Sequence, residues 1–168
     1  LAEKMAALKD ALGSAGFDVP ARRALDAARM ADVWKIRKAG LPLLLGLPGD
    51  AKPVAFVEDT AVDPRHLPEY IRRLRAIVEA HGTRAGFFAH ASVGCIHVRP
   101  GLDLRTESGV AAMRSISRQV ADLVKEYGGA MSGEHGDGLS RGVYVREFFG
   151  PVLHDAFRRI KRAFDPDG

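Results

Sequence analysis

The chain has 168 residues, 46% of them hydrophobic and 27% charged, with a formal net charge of +4. That is the balance of an ordinary globular domain. Its single cysteine, Cys95, excludes an internal disulfide and a Cys-rich metal site. The basic residues carry no interleaved aromatics, which argues against a nucleic-acid partner and suits anionic small molecules instead.

In chain order, Ala2 to Gly13 reads as a helix, with Met5, Leu8 and Leu12 at helical spacing and Gly16 and Pro20 as breakers. A second helix is predicted over 21–39, where Met30, Val33, Trp34 and Arg37 share one face. Residues 40–52 are rich in Gly and Pro and read as a loop. The apolar stretch from Ala39 to Leu47 is broken by Gly40, Pro42 and Gly46, and it is too short to span a bilayer. Pro53 to Asp59 is a strand candidate.

Asp63-Pro64 opens the next helix as cap and first residue, with Leu67, Tyr70, Ile71, Leu74 and Val78 as its buried stripe. Ala85 to Ala91 and Cys95 to Arg99 read as short strands around Gly94. Thr106 caps a long helix carrying Val110, Met113, Ile116, Val120, Val124 and Tyr127, stopped by Gly128-Gly129. A short apolar strand, Ala130 to Ser132, runs into a glycine-rich loop. Two helices, near 140–149 and 151–164, follow. The pattern predicts an α+β fold over 1–168 as a single domain, a mostly antiparallel sheet with helices on one face and a ferredoxin-like core. The N-terminal Leu1-Ala2-Glu3-Lys4 lacks a signal-peptide shape, and the C-terminal Phe164-Asp165-Pro166-Asp167-Gly168 stops on a turn, so the chain reads as a fragment of a longer protein.

Two stretches carry the chemistry: His90-Ala-Ser-Val-Gly-Cys-Ile-His97 and Gly133-Glu134-His135-Gly136-Asp137-Gly138. Histidine and carboxylate suit a borderline divalent metal, and histidine moves protons near neutral pH. On an unbroken strand, residues seven apart point to opposite faces, so His90 and His97 need a bend or bulge at Gly94 to converge. Glu134 and His135 are adjacent and diverge in extended backbone, which leaves one for a metal and one for a substrate. The glycine spacing is not the dinucleotide fingerprint. Arg37 on an apolar face is either a snorkelling cation or a fork for a carboxylate. Lys52 is a second candidate anion binder, or a solvated loop lysine. Cys95 reads as a small buried apolar residue. His66, His81 and His154 are given no function.

With these residues in view, the chain resembles the C-terminal, substrate-binding domain of FAD-linked oxidases. That flavoprotein group includes the flavin-bearing component of glycolate oxidase, D-lactate dehydrogenases and D-2-hydroxyglutarate dehydrogenase. The anchors are Val33-Trp34-Lys35-Ile36-Arg37-Lys38, Val57-Glu58-Asp59, the two histidine segments and Phe164-Asp165-Pro166. Leu47-Pro48-Gly49-Asp50-Ala51-Lys52-Pro53 is similar to a long subgroup that adds an iron–sulfur domain. The resemblance implies His90, His97 and Glu134 as ligands of a divalent metal, zinc or manganese. It implies His135 as catalytic base, and Arg37, with Lys52, as binders of a substrate carboxylate. Where relatives commonly have Gly-Asp-Gly-Asn between the histidines, this chain has Ser92-Val93-Gly94-Cys95.

The implied activity is oxidation of a D-2-hydroxy acid of the lactate, glycolate or 2-hydroxyglutarate class, with hydride passing to FAD. The flavin would be held by a separate domain of the same polypeptide, leaving this fragment inactive alone. Any iron–sulfur cluster would sit elsewhere in the protein. The expected location is cytoplasmic or at a membrane periphery, with a homodimer as the expected assembly. Two rivals stand beside this reading: a metal-dependent hydrolase on the same ligands, and a non-catalytic binding domain with structural histidines.

Overall fold

The computed structural model describes every residue except 18, 19 and 21, and the described chain falls into two compact units, Leu1–Gly46 and Leu47–Gly168. The first unit holds α1 (Ala2–Ser14) and α2 (Ala27–Leu45), neither of which buries a residue. The predicted start of the second helix, at 21, lies outside the described residues. The observed start is set by Asp26, whose side chain accepts from the Arg29 N–H at 2.9 Å. The loop expected from residue 40 begins later, because α2 runs through Gly40 and Pro42 to Leu45. A helix-interior proline removes one hydrogen bond. The flanking leucines at 41 and 43–45 are good helix formers and carry the turn across it.

The second unit is α+β, as expected. It contains β1 (Lys52–Pro53), β2 (Thr60–Ala61), α3 (Leu67–Glu79), β3 (Ala85–His90), β4 (Cys95–Leu102), α4 (Glu107–Glu126), the single turn α5 (Gly138–Arg141) and α6 (Val145–Phe164). All pairing is antiparallel and centres on β4, which meets β3 along most of its length, β2 near Ile96 and β1 near Leu102.

The strand expected over Pro53 to Asp59 is reduced to β1, with β2 following at Thr60. Residues 56–59 are instead a buried connection that ends at Asp59 with φ +52°. That left-handed backbone is rare outside glycine and breaks any ladder there. It persists because Asp59 and its neighbour Glu58 are tied to partners described below.

Amphipathic periodicity places the helices. Asp63 caps the turn opened by Pro64, and α3 buries Leu67, Tyr70, Leu74 and Val78. Thr106 Oγ1 accepts from the Gly109 N–H at 3.0 Å, and α4 buries Ile116, Val120, Ala121, Leu123 and Val124. These stripes meet Ile96, Val98 and Leu102 of β4 in one core with Phe56 and Val57. Each such aliphatic side chain contributes about 1.5–3 kcal/mol on burial. Arg73 bridges α3 to Glu126 of α4 at 2.6 and 2.7 Å, and Arg118 bridges α4 to Glu147 of α6 at 2.8 Å. Gly150, at φ +74°, breaks α6 where the sequence predicted two helices. Among the described residues, no helix is long and apolar enough to cross a membrane.

β3 and β4 form a hairpin, closed by a short 3₁₀ turn at Ala91–Val93 and Gly94. Gly94 adopts φ +71°, and a Cβ built there would lie 1.8 Å from the Val62 carbonyl oxygen. No L side chain fits such a site without backbone movement. Gly94→Ala combines left-handed strain of about 1–2 kcal/mol with overpacking of about 1–3 kcal/mol. We expect it to cost about 2–5 kcal/mol, read as a lowered urea midpoint; an unchanged midpoint would show that the turn relaxes freely.

Candidate metal centre

The hairpin answers the question of the seven-residue spacing. His90 lies opposite Cys95, and Phe88 lies opposite His97. Directly opposed residues share a face, and so do residues two apart on one strand. His90 and His97 are therefore diagonal neighbours on one face, brought there by chain reversal rather than by a bulge within one strand. Their rings meet edge to face with centroids 5.3 Å apart. The opposite face of β4, with Ile96 and Val98, belongs to the core.

Glu134 arrives from a third segment. Ala130 bridges Ala61 of β2, and the Gly133 N–H donates to the Asp59 carbonyl at 2.8 Å. This sets the segment beside the sheet, although the strand expected over Ala130 to Ser132 is reduced to a single bridge at Ala130. Glu134 Oε1 then lies 3.3 Å from His90 Nε2 and 3.9 Å from His97 Nε2. The potential ligand atoms of His90, His97 and Glu134 all fall within 4.8 Å of one another. Two imidazole nitrogens and one carboxylate fit a borderline divalent cation, with positions left open for a further ligand.

His135 also faces this cluster, although adjacent side chains in extended backbone would diverge. Its Nε2 lies 3.4 Å from Glu134 Oε2. The chain is not extended here because Asp59 gathers it. Asp59 Oδ2 accepts the N–H groups of Glu134 at 2.8 Å and His135 at 2.9 Å, and the Ser132 hydroxyl at 2.6 Å. Consecutive N–H groups aimed at one anion form a concave nest, which turns both side chains toward the same opening.

Asp59 is fully buried, and its Oδ1 pairs with Arg141 Nη1. Arg141 also donates to the carbonyls of Glu58, Met131 (3.0 Å) and Gly136 (2.6 Å), so one guanidinium fastens both ends of the glycine-rich loop. Burial works against the charge on Asp59. The hydrogen bonds from Ser132, Arg141 and the His135 and Glu134 amides outweigh it and hold the carboxyl at about 2.

A second acid, Glu58, lies behind His97. Its Oε1 accepts from His97 Nδ1 at 3.1 Å and from Arg99 Nη2 at 3.0 Å, while Arg99 Nε approaches Oε2 at 3.0 Å. Phe88 stacks on the His97 ring at 4.7 Å and 19°. Cys95 is buried on the same face, as expected, and burial together with the Glu134 carboxylate pushes its thiol up to about 12.

Two other candidates are Lys52, in the second unit, and Arg37, in the first. Lys52 pairs opposite Leu102, five residues beyond His97 and so roughly 17 Å along the strand. Its Nζ donates to the Leu47 carbonyl at 2.8 Å, and the structure does not bring it to the triad. Arg37 lies on α2 in the first unit and is exposed, as are Met30, Val33 and Trp34 of the same face. Sequence reasoning assigned no role to Glu58, Asp59, Arg99 or Arg141. The available signal was the acidic pair itself, placed directly after the apolar run Val54 to Val57.

Comparison with known proteins gives the chain its relatives. Over 134 residues, 80% of this chain, it is 46% identical to D-2-hydroxyglutarate dehydrogenase of Pantoea ananatis (strain AJ13355). It is 32% identical over 118 residues, 70% of the chain, to D-lactate dehydrogenase of Archaeoglobus fulgidus. It is 27% identical over 147 residues, 88% of the chain, to glycolate oxidase subunit GlcD of Escherichia coli (strain K12). The matched stretch covers only 13%, 26% and 29% of those proteins, respectively. The family model for FAD linked oxidases, C-terminal domain, matches residues 1–168, and the chain belongs to that family.

Proposed function

We propose that this chain is the substrate- and metal-binding domain of a flavin-dependent dehydrogenase that oxidises a D-2-hydroxy acid to the 2-oxo acid. The observation that carries the reading is the convergence of His90, His97 and Glu134, three ligands from three segments, beside a fourth polar group, His135. The relatives are named for D-2-hydroxyglutarate, D-lactate and glycolate, and the relative at 46% identity makes 2-hydroxyglutarate the first substrate to try.

In this reading His90, His97 and Glu134 hold a zinc or manganese ion. When bound, the metal acidifies and orients the substrate hydroxyl, and FAD on a separate domain supplies the hydride acceptor. His135 takes the hydroxyl proton as the C2 hydride leaves, so the substrate loses both hydrogens. Its Nε2, 3.4 Å from Glu134 Oε2, supports a place for it beside the three ligands. Arg37 clamps a substrate carboxylate. Lys52, whose Nζ donates to the Leu47 carbonyl at the far end of β4, is given no part in this reading. An iron–sulfur cluster elsewhere in the protein would need thiolates from outside these 168 residues, which contain only Cys95. A hydrolase is less well supported, because the relatives carry the names of oxidoreductases.

The test uses the full-length flavoprotein. Anaerobic mixing with D-2-hydroxyglutarate, D-lactate or glycolate should bleach the oxidised flavin with at least one of them; no bleaching with any 2-hydroxy acid rejects the activity. Arg37→Lys should raise KM about tenfold or more while leaving metal content unchanged, since a point charge does not replace a bidentate fork. An unchanged KM for the preferred substrate would remove Arg37 from the binding site.

A further inference from the structure

The geometry points to Glu58, backed by Arg99, as the positioning residue that presets His97 for the metal; this rests on the metal reading above and deepens it. A carboxylate only accepts, so a hydrogen bond between Glu58 Oε1 and His97 Nδ1 requires the proton to sit on Nδ1. That leaves the Nε2 lone pair bare, and Nε2 is the atom that faces Glu134 Oε1. The ring cannot readily rotate away. It is 4% exposed, stacked on Phe88 and held at its rear by the acid.

Glu58 is 5% exposed, and Arg99 supplies its countercharge, hydrogen-bonding through Nη2 while Nε lies 3.0 Å from Oε2 without forming a second hydrogen bond. Arg99 and His97 are two apart on β4 and so share a face, which lets one carboxylate serve both. A carboxylate behind a ligating histidine fixes its tautomer and raises its basicity, and losing one typically costs 10–100-fold in metal affinity. His90 differs: its side chain is 52% exposed, and its described ion-pair contact is to Glu134 itself. The two histidines therefore play unequal parts, one preset by the fold and one closing on the ion.

The experiment has two readouts on the full-length protein. Long-range ¹H–¹⁵N correlation spectra of the metal-free protein, at a pH where the rings are neutral, report the His97 tautomer. Zinc affinity is measured by competition with a chromophoric chelator. The wild type should show His97 protonated at Nδ1, and Glu58→Gln should mix the tautomers and weaken zinc binding 10–100-fold. His90→Ala should abolish tight binding yet leave the His97 tautomer unchanged. A wild-type His97 protonated at Nε2, or a folded Glu58→Gln variant with wild-type zinc affinity, overturns the role of Glu58 alone. Should Glu58→Gln fail to fold, the wild-type tautomer decides. A wild-type full-length protein that takes up neither zinc nor manganese overturns the metal reading, and this role with it.

Discussion

Replacing His135 with asparagine is expected to lower kcat of the full-length flavoprotein by 100-fold or more while flavin and metal contents stay at wild-type levels. The magnitude is the usual scale for losing a positioned general base. The separation of effects follows from geometry. Glu134 Oε1 approaches His90 and His97, while Oε2 approaches His135, which supports the proposal that His135 lies beside the ligands rather than among them. His97→Asn should behave differently and lose metal together with activity. The pair is resolved by metal analysis alongside steady-state kinetics. If His135→Asn loses its metal and turns over normally once metal is resupplied, then His135 is a ligand and the base lies elsewhere.

The second large effect is structural. Asp59→Asn should cost about 3–5 kcal/mol of stability, because it leaves the Arg141 guanidinium buried without its countercharge. It also weakens the anion that gathers the Glu134 and His135 amides, so metal affinity should fall in the variant even where it remains folded. Urea unfolding compared with wild type reads the first effect, and zinc titration at low temperature reads the second. A midpoint shift worth under about 1 kcal/mol, the scale of an exposed ion pair, would show that Arg141 finds other partners.

Asp59 also shows what a linear reading misses. Its role depends on four donors from Ser132, Glu134, His135 and Arg141, residues 73 to 82 positions away. Nothing in local pattern reports contacts at that separation. The helices α3 and α4 were legible because a period of 3.6 and a capping side chain are local properties; Leu67, Tyr70, Leu74, Val78, Ile116, Val120 and Val124 are buried as predicted, whereas Ile71, Val110, Met113 and Tyr127 are only partly buried. The strand expected at Pro53 to Asp59 was misread because its apolar run is buried by loop packing rather than by a ladder. For α2, Gly and Pro composition suggested a loop where leucines sustained the helix. The ligand types at His90, His97 and Glu134 were visible at once, whereas the way they converge was not. A bulge and a hairpin both satisfy the seven-residue spacing, and only the register, Phe88 opposite His97, selects the hairpin.

If three segments meet to bind one divalent ion, metal stoichiometry is the most direct test of it. The full-length protein is stripped with chelator, titrated with zinc and with manganese, and compared with His90→Ala, His97→Ala and Glu134→Gln. One tight equivalent of at least one of these metals is expected in the wild type, and its loss in each of the three variants. Wild-type uptake of neither metal, or uptake that survives all three substitutions, would contradict a centre built on this triad.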